Sequence, residues 1–248
     1  MTISHEALQN LYTEANFKVI CANVFDEKGQ LPNHITSSYI KEIEESRILF
    51  VAATAPFTPF YRALDWVVTD PLAAIKDEIE AHEGQFDVLI VMSHVGVFFD
   101  EKLCQEIPEI DVIFGSHTHH YFENGELNNG VLMAAAGKYG HFLGEVNLTI
   151  EHGRVTDKKA KLHPLDALPQ VETHFDEEGK ALLSEPVIDH HVKLQKKTDV
   201  ITETSYLLAE SVYEFTHADC ALVNAGLIVN SIEAVSYTHL TLPTSDLV

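Results

Sequence analysis

An α/β fold is predicted for this 248-residue chain by two patterns: continuous apolar runs of four to eight residues, and segments of helical spacing lying between them. Uninterrupted apolar runs of that length mark strands buried on both faces, as in a sheet covered on each side. Taken in order, Ser4 can cap a helix over residues 4–12, with Leu8, Leu11 and Tyr12 on one stripe. Residues 17–22 (FKVICA) then read as a buried strand and residues 48–53 (ILFVAA) as a second. Asp70-Pro71 opens a helix to about residue 82, because proline suits a first turn behind an aspartate cap, and Leu72, Ile75 and Ile79 share a face. Residues 88–92 (VLIVM) form a third strand, 100–105 a short helix and 112–114 (VIF) a fourth strand. From Val131 the texture turns to β, with residues 131–135 and then 144–150 (GEVNLTI) reversing at His152-Gly153. Residues 163–185 are polar, carry two prolines and keep no period, so they read as a linker. Beyond them, residues 186–197 and 206–215 are predicted helices, and 220–223 a short strand leading into Asn224-Ala225-Gly226.

The composition, 46% hydrophobic and 22% charged, is that of a globular protein and excludes a disordered or collagen-like chain. Its length falls between one domain and two. Lys and Arg number 16 against 38 Asp and Glu, a net charge of −22. The deficit is spread: residues 1–150 hold 8 cations and 22 anions, the rest 8 and 16. No basic face can be assembled, so nucleic-acid backbones and anionic membranes are excluded as partners. A phosphate bound here needs a neutralising cation, and the 15 histidines are the means of holding one. Cys21, Cys104 and Cys220 are widely spaced with no CxxC pair, and read as buried small residues in a reducing compartment. With a polar segment behind Met1 and no apolar run of about 18 residues, a cytoplasmic location is expected.

Two segments share one design, FDVLIVMSHVG over residues 86–96 and IDVIFGSHTHH over residues 110–120. In each, Asp-Val starts an apolar strand, a small residue follows, and a histidine stands at the carboxyl end. Open α/β sheets bind ligands in the crevice beyond those ends. His94, His117 and His119 are therefore placed where a site is expected. Two imidazoles two residues apart on a turning segment can face one cavity, which suits two metals ~3.5–4 Å apart. A single histidine after a strand is more simply a hydrogen-bonded loop residue; the two segments together carry the inference.

The SHVG and GSHTH segments, with ANVF at residues 22–25 before them and AAAGKYGHFLGEV at residues 134–146 after, resemble a metallophosphoesterase domain. The resemblance is to the bifunctional 2',3'-cyclic-nucleotide 2'-phosphodiesterase/5'-nucleotidase family, in its bacterial cytoplasmic branch. It covers most of residues 1–234, and residues 207–229 are similar to the start of that family's C-terminal nucleotide-recognition domain. It implies a partial αββα sandwich followed by the opening of a second α/β domain. It also implies that His94 and His117 bind one divalent metal and His119 another, that Asn224 contacts substrate, and that a metal-activated hydroxide attacks a nucleotide phosphate ester. Imidazole-rich ligation suits Mn, Zn, Co or Fe rather than Ca.

The chain also departs from that pattern. The family's Asp-x-His strand, the aspartate that bridges the metals and the Gly-Asn-His/Asn-Glu motif all precede the segment with which this chain begins. Val229 stands where Arg often ends the Asn-x-Gly turn. Three neutral imidazoles without a bridging anion leave the repulsion of two dications uncompensated, so weak or partial metal binding and little or no turnover are expected. Residues 236–248 (SYTHLTLPTSDLV) continue no preceding pattern and are read as a non-native tail. The expected organisation is a metallophosphoesterase domain over 1–162 without its first metal motifs, a linker over 163–185, the start of a 5'-nucleotidase C-terminal domain over 186–235, and the tail. The competing expectation is a non-catalytic module or fragment that binds a single zinc through the same histidines.

Overall fold

The computed structural model describes residues 5–165, 177, 181, 186–190, 202–223 and 235–239. The chain divides into two compact units, Met1–Pro169 and Gln170–Val248.

The first unit opens with α1 (His5–Leu11), the short strands β1 (Val19–Ile20), β2 (Val24–Phe25) and β3 (Ile35–Thr36), and the hairpin of β4 (Ser38–Ile43) and β5 (Ser46–Thr54). It continues through α2 (Thr58–Arg62), β6 (Val67–Val68), α3 (Pro71–Ala81), β7 (Val88–His94), α4 (Val97–Glu106) and β8 (Val112–Gly115). Strands β9 (Glu126–Asn128) and β10 (Val131–Ala134) follow, then a long hairpin of β11 (Phe142–Glu151) and β12 (Arg154–Pro164). Six strands form the central sheet in the order β4-β5-β7-β8-β10-β9, with β5, β7, β8 and β10 parallel and the two outer strands antiparallel.

Side chains on a strand alternate between faces, and that alternation builds two cores. Leu49, Val51, Leu89, Val91, Ile113, Val131 and Met133 point to one face, where they meet Leu72 and Ile75 of α3 and Leu103 and Cys104 of α4. Ile48, Val88, Ile90, Val112 and Leu132 point to the other, beneath Val146, Leu148, Ile150, Val155 and Ala160 of the β11–β12 hairpin. The apolar runs are continuous because both faces are covered. Arg47 and Asp87 fasten the amino ends of β5 and β7: Nε and Nη2 donate to the carboxylate at 3.1 and 3.0 Å, and the Arg47 amide donates at 2.8 Å. This paired guanidinium holds the Asp87 carboxyl below its ordinary range.

Several expectations are corrected. The strand expected over 17–22 forms a regular ladder only at Val19–Ile20, against β3, beyond which the Cys21 and Ala22 amides donate to the Thr36 and Ala52 carbonyls. The helix expected at 100–105 begins earlier, at Val97, because Gly96 serves as its cap. In the second unit, residues 186–190, expected to be helical, form β13 (Pro186–His190), paired antiparallel with β14 (Val235–His239). Adjacent β-branched Val187 and Ile188 favour a strand, and proline is tolerated at a strand's first residue. Residues 191–197 lie outside the described residues, as do 240–248 of the tail. The helix expected over 206–215 is α5 (Glu203–Thr216), started earlier by a reciprocal cap in which the Ser205 amide donates to Thr202 Oγ1. Residues 220–223 are irregular rather than a strand, and Cys220 is exposed, whereas Cys104 is buried as expected. Among the described residues no helix is long and apolar enough to cross a membrane.

Candidate metal centre

Strands β7 and β8 run side by side, pairing Ser93 with Gly115, so their carboxyl ends deliver the two histidine segments to one place. His94 is paired with Thr54 at the end of β5, and its carbonyl accepts a hydrogen bond from the Ala55 amide at 3.0 Å. The end of β5 is itself clamped by the fully buried Asn23. Asn23 Nδ2 donates to the carbonyls of Thr54 and Thr69 at 2.8 and 3.1 Å, while its Oδ1 accepts from the Thr54 amide at 2.9 Å.

Beyond β8 the chain turns sharply. The Thr118 amide donates to the Ser116 carbonyl at 2.9 Å, closing a three-residue turn with His117 at its centre and φ at 72°. His119 also has positive φ, 55°. Two non-glycine residues in that region within three positions store strain, of the kind that clusters at functional sites. The His117 ring comes to 5.2 Å from the His94 ring, edge toward face, and the half-exposed Phe57 ring lies 5.4 Å from it. Burial depresses the His94 pKa, and the charges of His117 and His119 depress it further. Both effects favour the neutral imidazole, the form that ligates metals.

Behind the histidines, α4 presents Asp100, only 3% exposed. A β-carbon at position 115 would lie 2.5 Å from Asp100 Oδ2, so glycine is required there. Burial pushes the Asp100 pKa up to about 6; the neighbouring Ser93 hydroxyl works in the opposite sense, although neither Ser93 Oγ nor Asp100 Oδ1 reaches hydrogen-bond geometry.

No protein-family model matches the chain. The metallophosphoesterase YunD of Bacillus subtilis is 35% identical over 256 aligned residues, covering 98% of this chain and 54% of YunD. Human 5'-nucleotidase is 24% identical over 71% of this chain and 31% of its own length. Among solved structures, a 5'-nucleotidase precursor from Thermus thermophilus superposes with a TM-score of 0.69 at 20% identity, over 95% of this chain and 54% of that one. Over most of its length the chain resembles the metallophosphoesterase/5'-nucleotidase family. It spans about half the length of YunD, and less of the human nucleotidase.

Divalent ions are what this family implies. The imidazoles gathered here are donors of a kind that suits such an ion. The His94 and His117 ring centroids lie 5.2 Å apart, and His119 is near enough for its charge to bear on His94. Among the described residues no three His, Cys, Asp or Glu side chains enclose a common point. Asn224, expected at the substrate, lies outside the described residues. The sequence singled out the three histidines but missed Asn23, Phe57, Asp100 and Thr118. Gly96 and Gly115 were the available signal for two of them, since each glycine accommodates a close neighbour: Thr118 at Gly96 and Asp100 at Gly115.

Proposed function

We propose that this chain carries the histidine half of a metal-dependent phosphoester hydrolase, of the 5'-nucleotidase or cyclic-nucleotide phosphodiesterase type. His94 and His117 ligate a divalent ion of the Mn, Zn, Co or Fe class, with His119 beside them, and Asn224 contributes to substrate binding. The observation that carries this is the convergence of two imidazoles, 5.2 Å apart, at the carboxyl ends of adjacent parallel strands. The names of YunD and the human nucleotidase support the reaction class and the nucleotide substrate. The substrate is a nucleotide or another small phosphate ester rather than a nucleic acid, because a chain of net charge −22 repels long phosphate polymers. The metal supplies charge neutralisation and an activated water in chemistry of this class. The cysteines, free among the described residues, fit a cytoplasmic site of action.

Turnover by this chain alone is little or none. The purified protein with Mn²⁺, assayed on AMP and on bis-p-nitrophenyl phosphate, is expected to match a His117→Ala variant. Turnover that His117→Ala abolishes overturns the inactivity. Failure of Mn²⁺ and Zn²⁺ to bind at all, by calorimetry, overturns the metal centre. A second reading is a non-catalytic module that holds a single zinc through the same histidines, which the neighbouring His94 and His117 rings also allow. It predicts one tight zinc per chain and a melting temperature raised by zinc.

A further inference from the structure

His117 sits in a turn with φ at 72°, a conformation its own side chain disfavours, so something outside residues 116–118 must hold it. Thr118 makes three contacts that do so. Its Oγ1 accepts a hydrogen bond from the Val97 amide at 3.1 Å, and the same hydroxyl shares a 2.8 Å hydrogen bond with His120 Nδ1. Its methyl Cγ2 lies over Gly96, where a β-carbon would be only 2.9 Å away. Gly96 has φ at 112°, so the backbone conformation and the close approach both call for glycine.

The Val97 amide belongs to the first turn of α4, where amides have no partner within the helix. Nothing in α4 competes with Thr118 for it. Val97 follows His94 by three residues, and Thr118 follows His117 by one. A bond between Thr118 and Val97 therefore gives the two histidine segments a second direct tie, beyond the strand ends, beside the Ser93–Gly115 pairing of β7 and β8.

We infer that Thr118 is the positioning residue of the histidine centre: its hydroxyl pins the turn over residues 117–119 to the amino end of α4 and so sets the spacing of His117 from His94. This rests on the proposed metal site for its consequence, but not for its geometry. A serine in its place keeps both hydrogen bonds and loses the methyl, whereas a valine keeps the bulk and loses both bonds.

The test compares the full chain with its Thr118→Val and Thr118→Ser variants, by NMR without metal and by calorimetric titration with Zn²⁺. In Thr118→Val the Val97 amide is expected to lose its protection from exchange and the metal-free imidazole signals of His94 and His117 to shift; Thr118→Ser retains both. Zinc affinity falls 10- to 100-fold in Thr118→Val and stays within about threefold of the parent in Thr118→Ser, the range seen when a partner of a metal ligand is lost. The visible spectrum of the Co²⁺-loaded protein changes only in the valine variant. Unchanged Val97 exchange, or unchanged imidazole signals, in a Thr118→Val protein that melts like the parent overturns the proposal. So does lost Val97 protection with zinc affinity intact. Should the parent's imidazoles ignore Zn²⁺, the metal site fails, while exchange and imidazole signals of the metal-free proteins still decide the role of Thr118.

Discussion

Asp100 is a carboxyl group taken out of water without a cation beside it. Its pKa of about 6, against 3.8 in an unfolded chain, means that the native state keeps a proton that the unfolded state releases between those values. Stability therefore falls as pH rises from about 4 to about 6, and above that the full penalty, about 3 kcal/mol, is present. Asp100→Asn keeps the shape and cannot ionise. Urea unfolding is expected to show the variant gaining on the parent by about 3 kcal/mol between pH 4 and pH 8, and a gap that ignores pH would sink this account. The Asp100 position was visible in the sequence only as an acid near a helix start. Its burial depends on Gly115 of the next strand, which no local pattern connects to it.

At the scale of elements, α3 shows how much can be read locally. Asp70 Oδ1 accepts from the Ala73 amide at 2.8 Å and Pro71 occupies the first turn, as expected from Asp70-Pro71. Asp70→Ala is predicted to cost about 1 kcal/mol and, in a unit of this size, to lower the melting temperature by ~2–4 °C. Asp70→Asn should be close to neutral, and equal losses in both variants would point to something other than the cap. Strands β5, β7 and β8 were equally legible, because burial on both faces makes an apolar run that needs no partner to be recognised. Residues 186–190 were not. Their strand state depends on residues 235–239, about fifty positions away, and pairing at that distance leaves no local period to detect.

Across the whole first unit, the central sheet is covered unevenly. The α3/α4 face buries its side chains to the strand ends, but on the opposite face the hairpin reaches only part of the way. Met92 and Phe114, paired across β7 and β8, remain 46% and 37% exposed. A cavity of about 850 Å³ opens beside Met92, walled by Phe17, Tyr39 and Phe50 and by Lys18 and Lys41. It lies apart from the histidines, none of which lines it. Apolar surface of this kind promotes association. Met92→Lys with Phe114→Lys is predicted to reduce binding of an apolar fluorescent dye and self-association at high concentration, with little change in melting temperature. A large loss of stability would instead show that these side chains are covered in solution.

The sequence by itself determined the α/β class, strands β5, β7 and β8, the cap of α3 and the placement of His94, His117 and His119 at strand ends. These follow from residues adjacent in the chain: apolar runs, a proline behind an aspartate, a histidine after a strand. Tertiary structure alone decided that β7 and β8 are neighbours, that His117 adopts a strained turn, that Thr118 reaches Val97, and that Asp100 is buried beneath Gly115. All but the turn itself join segments about fifteen or more residues apart, and the turn is tied to one of them through Thr118. Such contacts form only when burial of both sheet faces brings distant segments together, and no local periodicity encodes them.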